Sequence, residues 1–488
     1  MRLLALFVGL FAVCSALGGC PTWFSQRIGS QDSSEGNRVS GVGLLPQGVA
    51  IGDVNSQRAL LWLRTDGAAV IRVEWAPLPM GEQGSASVPL SRTALLKTEA
   101  ETDYTLTISL EGLNPSTRYR YHVVVGPAEL SQPQLPGKPA AIGEFVTLPD
   151  ERTSASVSFA WSGDLGSGGR CRRGVDGYPI FDVIRRYNPD FFLFLGDTIY
   201  GDHLCPSPPN EPGADFKATT LDAYRWRHRY QRGADALRRF LAETPVYVVW
   251  DDHEIRNNFS GPFDEHMPAG RQALREYWPI ASPLQDPHRL YRAVQYGADL
   301  ELFILDVRQY RSRNGDRDSA SKTMLGAAQL AWLLNGLRTS TATWKVIATP
   351  VPLSIPKGGD RSVPGHDGWA GGPDGTGFEQ ERQVIVDTIL SHKVKNVVFL
   401  SGDVHWVQAN AYDPNQDGVI DFHEYIAGPL SAPPGRFAPT QTALHPTELF
   451  YESGYHNFGL VRATKDNFHV SMVDETGQER VSHRIAAQ

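Results

Sequence analysis

The sequence predicts an α/β layered domain preceded by a small all-β sandwich. Beyond residue 152, apolar strand-like runs alternate with helical stretches and several end in Gly-Asp pairs, the grammar of a domain that gathers ligands at its strand ends. Between residues 43 and 149, short runs of alternating polarity are separated by turn signals instead. At 488 residues the chain is long enough for two or three domains, and its 41% hydrophobic content supplies a core for each.

The N-terminus carries an address. Arg2 precedes an apolar run from Leu3 to Leu17, closed by Gly18, Gly19 and Cys20. This run is too short to span a bilayer and predicts a signal peptide over residues 1–19. Leu17-Gly18-Gly19-Cys20 resembles a bacterial lipobox, which implies export, lipidation at Cys20 and a lipid anchor at the periplasmic or cell surface. Ordinary secretion with cleavage nearby is the alternative. Residues 20–42, rich in Ser, Gly, Gln and Asn, predict a tether. A net charge of −8 argues against specific nucleic-acid binding, so any phosphate has to be gripped locally.

In the first domain, Arg58–Leu63, Val70–Trp75 and Tyr104–Ile108 read as strands. Leu110-Glu111-Gly112-Leu113-Asn114-Pro115 followed by Tyr119–Val123 reads as the corner and late strand of a fibronectin-type sandwich, so residues 43–149 are predicted to be Ig/fibronectin-like. Nothing in this region suggests chemistry. In the second domain, residues 153–488, strands are predicted at 156–162, 191–195, 246–250, 300–305, 345–348 and 397–400, with helices at 180–187 and 327–337. The arginine-rich run 224–232 predicts a helix with a solvated basic face.

Four short motifs carry the chemistry: Ser162-Gly163-Asp164-Leu165-Gly166, Leu195-Gly196-Asp197-Thr198-Ile199-Tyr200, Trp250-Asp251-Asp252-His253-Glu254 with Asn257-Asn258, and Ser401-Gly402-Asp403-Val404-His405-Trp406. Each puts a hard oxygen ligand, sometimes with an imidazole, where an apolar strand emerges into a loop. A pair of cations about 3.5–4 Å apart needs a bridging carboxylate, several terminal O/N ligands and an open position. A single Gly-Asp after a strand is usually a turn or a helix cap. All four motifs in one domain, three of them Gly-Asp and one Asp-Asp-His, with histidines, are not explained that way.

The ordered set resembles the calcineurin-like metallophosphoesterases, and more closely the PhoD-type alkaline phosphatase/phosphodiesterases. Asp306-Val307-Arg308-Gln309-Tyr310-Arg311, Asp367-Gly368-Trp369, Glu381-Arg382 and Ala427-Gly428-Pro429-Leu430-Ser431 match that pattern too. The resemblance implies a layered β-sandwich flanked by helices and an enzyme that hydrolyses small phosphoesters with two or more metal ions. It implies that Asp197 bridges both metals and that Asp164, Tyr200 and His405 complete the first, the phenolate favouring Fe³⁺. Asp252 and Asp403 serve the second, with Asn257 or Asn258 as a further ligand. His253 is the implied general acid or phosphate-binding group. Arg308 either pairs with phosphate oxygens or is a structural ion-pair partner, Tyr200 has a core role as its alternative, and Asp251 and Glu254 are assigned to orienting their neighbours.

Two departures bear on metal identity. Related chains with a cysteine ligand to iron carry it where this one has Asp164, and no histidine stands within 349–354 to complete the second site, which points there to Ca²⁺, Mn²⁺ or Mg²⁺. Cys171 and Cys205 are candidates for one disulfide, the alternative being Cys171 as a metal ligand. Separately, residues 413–424 satisfy a twelve-position calcium-loop pattern, with Asp413, Asn415, Asp417, Val419, Asp421 and Glu424 as ligands and Gly418 at the turn. A structural Ca²⁺ is expected there, against a metal-free connection rich in Asx turns. A non-catalytic, metal-stabilised binding lipoprotein and a phospholipase D-like diesterase are the competing functional readings.

Overall fold

The computed structural model describes residues 44–78, 90–128, 138–166, 171–172, 177–358 and 364–488. The signal peptide, Cys20 and the tether lie outside the described residues. Among the described residues no helix is long and apolar enough to cross a membrane.

The first eight strands are β1 (Val49–Gly52), β2 (Arg58–Arg64), β3 (Ala69–Pro77), β4 (Ser91–Arg92), β5 (Leu96–Thr98), β6 (Thr105–Glu111), β7 (Arg118–Pro127) and β8 (Ala141–Val146). They form two faces, β1-β2-β6 and β4-β3-β7-β8, with β5 also on β3. Leu61, Leu63, Ile71, Val73, Tyr121 and Val123 fill the space between the faces. The predicted corner is present: the Tyr119 hydroxyl accepts the Asn114 N–H at 2.8 Å, which fixes the crossing before β7.

The rest of the chain follows as β9 (Val157–Ser162), α1 (Ile180–Tyr187), β10 (Phe191–Leu195), α2 (Leu221–Arg232), α3 (Asp235–Glu243), β11 (Val246–Val249), α4 (Met267–Tyr277), β12 (Arg292–Tyr296) and β13 (Leu300–Ile304). After these come α5 (Gly326–Thr339), β14 (Trp344–Ala348), α6 (Glu379–Ser391), β15 (Val397–Ser401), β16 (Val407–Tyr412), β17 (Phe422–Ile426) and the final strands β18 (Pro446–Glu452), β19 (Asn457–Ala463), β20 (Asn467–Asp474) and β21 (Glu479–Ala486). Two sheets result, β21-β20-β19-β9-β10-β11-β1-β2-β6 and β12-β13-β14-β15-β17-β16-β18. Strict alternation builds the layers. Leu302, Val346 and Val398 enter the core between the sheets, while Phe303, Ile347 and Phe399 point outward onto Leu333 of α5 and Ile385 of α6.

The first sheet crosses the expected boundary between the two domains. β1 runs parallel to β11, with Gly52 opposite Val246, so three strands of the amino-terminal sandwich extend the sheet that carries the second domain's motifs. The basic face predicted on α2 is not solvated either. Arg227 and Arg232 are buried, with the Arg232 guanidinium 3.6 Å from the Trp62 ring centre and Arg227 4.4 Å from that of Phe216. A weakly hydrated guanidinium stacks on aromatic rings where an ammonium would stay in water, a distinction that charge counting misses.

Candidate metal centre

Strands β9, β10 and β11 are parallel, as are β13, β14, β15 and β17, and their carboxyl ends open on the same side. Asp164, Asp197, Asp251, Asp252 and Asp403 follow β9, β10, β11 and β15 directly. The loops are held in unusual conformations: Asp164, Asp197, Asn258, Asp403 and His405 all have positive φ, 64°, 52°, 57°, 68° and 63°. Asn, Asp and His adopt this region more readily than other side chains, yet each such residue still costs about 1–3 kcal/mol, and such residues cluster at functional sites. Gly196 is required by close approach, since a Cβ there would stand 2.3 Å from Cβ of Asp251. That contact draws the second and third motifs together.

The predicted ligands converge into two linked nests. Ligand atoms of Asp164, Asp197 and His405 lie within 4.8 Å of one another, and so do those of Asp251, Asp252 and Asp403, while Asp197, Asp252 and His253 form a third such group joining them. Tyr200 is buried at the first nest, its hydroxyl 3.3 Å from Nε2 of His405. His405 Nδ1 donates to the Pro433 carbonyl at 2.8 Å, because a carbonyl only accepts, and this turns Nε2 toward the nest, 3.1 Å from Asp164 Oδ1.

Unpartnered atoms give the test of fit. Asp164 Oδ2, Asp252 Oδ1, Asn258 Oδ1 and Asp403 Oδ2 are buried without a hydrogen-bond partner. Buried polar oxygens are almost always satisfied, so three such carboxylate oxygens and one amide oxygen on or beside the two nests fit divalent or trivalent cations. Of the two candidate asparagines, Asn258 carries the orphan oxygen. Asn257 instead lines an open pocket of about 380 Å³ with His253, Lys357, Asp403 and His405. A larger cleft of about 770 Å³, lined by Asp53, Tyr247 and Arg292 among others, holds none of these ligands.

Electrostatics confirm the crowding. Burial, then the fields of Asp252, Asp251 and Asp164, push Asp197 well above the usual carboxylate range. Burial raises Tyr200 as well, aided by Asp197, Asp164 and Asp252. Burial likewise lifts Glu254 to about 7, although its carboxylate accepts N–H groups from Asp197, Thr198 and Asp251 at 2.7–3.0 Å and so ties two ligand loops together. Asp403 is raised to about 6 by burial against the opposing pull of Lys357. A raised carboxylate stabilises the fold below its unfolded value and loses that contribution as pH climbs through the folded one. Chelated protein should therefore melt roughly 3 °C or more lower at pH 8 than at pH 5, a difference that added metal removes. Equal melting curves across that window, followed by circular dichroism, would show that the carboxylates do not repel one another.

His253 stands on the pocket wall. Burial disfavours its charged form, but the Asp252 field and the hydrogen bond to Asp202 prevail and raise it to about 9. Asp202 Oδ1 lies 2.7 Å from Nδ1, which aims Nε2 at the hollow, 4.0 Å from Asp252 Oδ1.

Two assignments from the sequence need correction. Arg308 does not face a substrate: it is wholly buried, Nε donates to Asp251 at 2.6 Å, and both Nη atoms grip Asp367 at 2.7 Å. Its fork is saturated by protein carboxylates, so it is an internal ion-pair partner. Glu424 does not close a calcium loop. It belongs to β17, is buried, and accepts from the Leu353 N–H at 2.7 Å and the Tyr412 hydroxyl at 2.6 Å. The side chains of Asp413, Asn415 and Asp417 accept N–H groups of Asp417, Gly418 and Val419, as Asx turns do. Val419 and Asp421 stand on the same loop, which lacks its twelfth-position ligand. The disulfide is formed: Cys171 and Cys205 are bonded, Cα atoms 5.7 Å apart, so Cys171 is no metal ligand.

Asp202, Lys357 and Asp367 went unassigned in the sequence. Asp202 follows Tyr200 by two residues, and Asp367 lies in a noticed motif. Lys357 sits in a loop without any local signal.

Comparison with known proteins agrees with this geometry. The family model of the PhoD-like phosphatases matches residues 165–475, and that of their N-terminal domain matches residues 31–149. Alkaline phosphatase D of Bacillus subtilis (strain 168) is 27% identical over 404 residues, covering 73% of this chain and 64% of that protein, slightly under two thirds of its length. Among solved structures, PhoD superposes with a TM-score of 0.68 at 21% identity over 94% of each chain. The yellow lupin purple acid phosphatase PPD1 gives 0.60 at 14% identity, covering 91% of this chain and 75% of that one.

Proposed function

The chain belongs to the PhoD-like phosphatase family, and from that membership we propose that it hydrolyses phosphoesters, by attack of water, at the two linked nests. The observation that carries this reading is the set of four buried oxygens without partners, on Asp164 of the first nest, Asp252 and Asp403 of the second, and Asn258, whose N–H donates to Asp252, beside a histidine oriented by Asp202. Cations bound there supply an activated nucleophile and neutralise phosphoryl charge. Asp164, Asp197, Tyr200 and His405 would hold one, and Asp252, Asp403, Asn258 and the shared Asp197 the other. The phenolate of Tyr200 suits Fe³⁺, and the oxygen-rich second set suits Ca²⁺, Mn²⁺ or Mg²⁺.

The chain's own groups do the rest. His253, charged at neutral pH, donates its Nε2 proton to the departing alkoxide oxygen, and Asp202 fixes the ring while favouring the imidazolium. Asp202→Asn should move the alkaline limb of the kcat profile down by about one pH unit with metal content unchanged; a limb that stays put removes His253 from the acid role. Purified protein assayed on mono- and bis-nitrophenyl phosphate across added Ca²⁺, Mn²⁺, Fe³⁺ and Zn²⁺, with metal analysis, tests the whole reading. His253→Ala is expected to lose turnover and keep metal. Absence of hydrolysis under every metal condition overturns it.

The same proposal includes export and lipidation of Cys20, supported by the apolar leader and by a disulfide suited to an oxidising compartment. Metabolic labelling with a fatty acid, lost in Cys20→Ala, is the check.

A further inference from the structure

Lys357 lies in the loop after β14 and lines the open pocket beside His253, Asn257, Asp403 and His405. Its side chain is 29% exposed, against 1% for Asp403, so Lys357 is the more accessible member of this ion pair. Nζ donates to the Asp403 carbonyl at 2.9 Å and to Asp403 Oδ1, while Oδ2 of the same carboxylate is left without a partner. An ammonium has three donors. Two are engaged by Asp403, which leaves a third for a ligand in the pocket that Lys357 lines.

The charges around the nests make this position informative. Arg308, the other cation against Asp251 and Asp252, has its fork closed by Asp251 and Asp367 and cannot reach the pocket. A phosphoryl group in the pocket presents three oxygens besides the bridging one. Cations held in the two nests would neutralise part of this charge, and an oxygen they leave uncovered would need a donor from the protein. In a phosphomonoester the third oxygen is terminal and anionic; in a diester one of these positions carries the second organic substituent.

We propose that the Lys357 ammonium, anchored on Asp403, binds a terminal oxygen of the substrate phosphate and selects monoester ends over diesters. This rests on the hydrolase reading above and adds a substrate class and a substrate-contacting residue to it. Arg436, exposed on the same pocket's rim, adds a screened positive charge near the mouth.

The test uses the metal-loaded full-length protein, its Lys357→Met and Lys357→Arg variants, and inorganic phosphate as probe. Calorimetric phosphate affinity and bound metal are measured on all three, followed by kcat/KM on nitrophenyl phosphate and on bis-nitrophenyl phosphate. Lys357→Met is expected to keep wild-type metal content, weaken phosphate at least tenfold, and lose at least tenfold more on the monoester than on the diester, with Lys357→Arg recovering part of each loss. Unchanged phosphate affinity overturns the proposal. So does equal loss on both esters together with lost metal, because Lys357 then only positions Asp403. Should the wild type bind phosphate but cleave neither ester, hydrolysis fails as the function while the phosphate arm still decides on Lys357. Should a methionine variant unfold, the arginine variant carries the phosphate and metal measurements.

Discussion

Asp197→Asn should cut hydrolysis about 10³-fold or more, roughly 4 kcal/mol of transition-state stabilisation, and empty the metal centre with it. Asp197 is the residue common to the first nest and to the group that joins it to the second. Its Oδ1 also accepts the His253 N–H at 3.1 Å, so the same carboxylate registers the proton donor against the nests. An amide keeps the shape but removes the charge and turns one acceptor into a donor pair, which no cation accepts as a bridge. The stability effect has the opposite sign. Because Asp252, Asp251 and Asp164 all repel the buried Asp197 carboxylate, neutralising it relieves the metal-free protein. The variant should therefore melt higher than chelated wild type and show no further rise when metal is added. Melting curves with metal analysis read both effects, and a variant that retains metal and turnover removes Asp197 from the centre.

Arg308→Met is the second large effect, and it acts on the fold. The guanidinium neutralises Asp251 and Asp367 in a fully buried network that Arg311 and Asn314 complete, each within 2.8 Å of Asp367 Oδ1. Removing one partner from a buried pair leaves uncompensated charge and costs about 3–5 kcal/mol. Arg308→Lys should recover only part of this, since one ammonium cannot serve two carboxylates set for a planar fork. Combining Arg308→Met with Asp367→Asn should destabilise by much less than the sum of the two, the sign of direct coupling. Additive losses in denaturant midpoints would mean that the two residues do not share one network. A variant that folds normally and only raises KM would return Arg308 to the substrate.

Much of this was legible because it is local. A strand followed by Gly-Asp announces itself within six residues, and Asp164, Asp197 and Asp403, together with the motif residues Asp252 and His405, lie in clusters that share members. The fibronectin-type corner could be read for the same reason, since Leu113, Pro115 and Tyr119 fall within one turn and the start of a strand. Partnership across the fold could not be read. An arginine ending a strand looks the same whether it faces phosphate or Asp367, 59 residues away. The calcium pattern failed at Glu424 because a ligand spacing carries no information on where the next strand begins; β17 turns that side chain inward two residues after it starts. Lys357 lies in a connection whose only meaning comes from Asp403, 46 positions later.

The parallel pairing of β1 with β11 sets a limit on how the chain can be divided. β11 ends at Val249, one residue before the Trp250-Asp251-Asp252 turn, and β1 is its neighbour on the side away from β10. A truncated chain starting near residue 150 would bare β11 as an open edge of Val246, Tyr247, Val248 and Val249, a template for sticking to other chains. The amino-terminal region is thus no detachable accessory. Swapping or trimming it should loosen, from behind, the rail on which Asp251 and Asp252 ride.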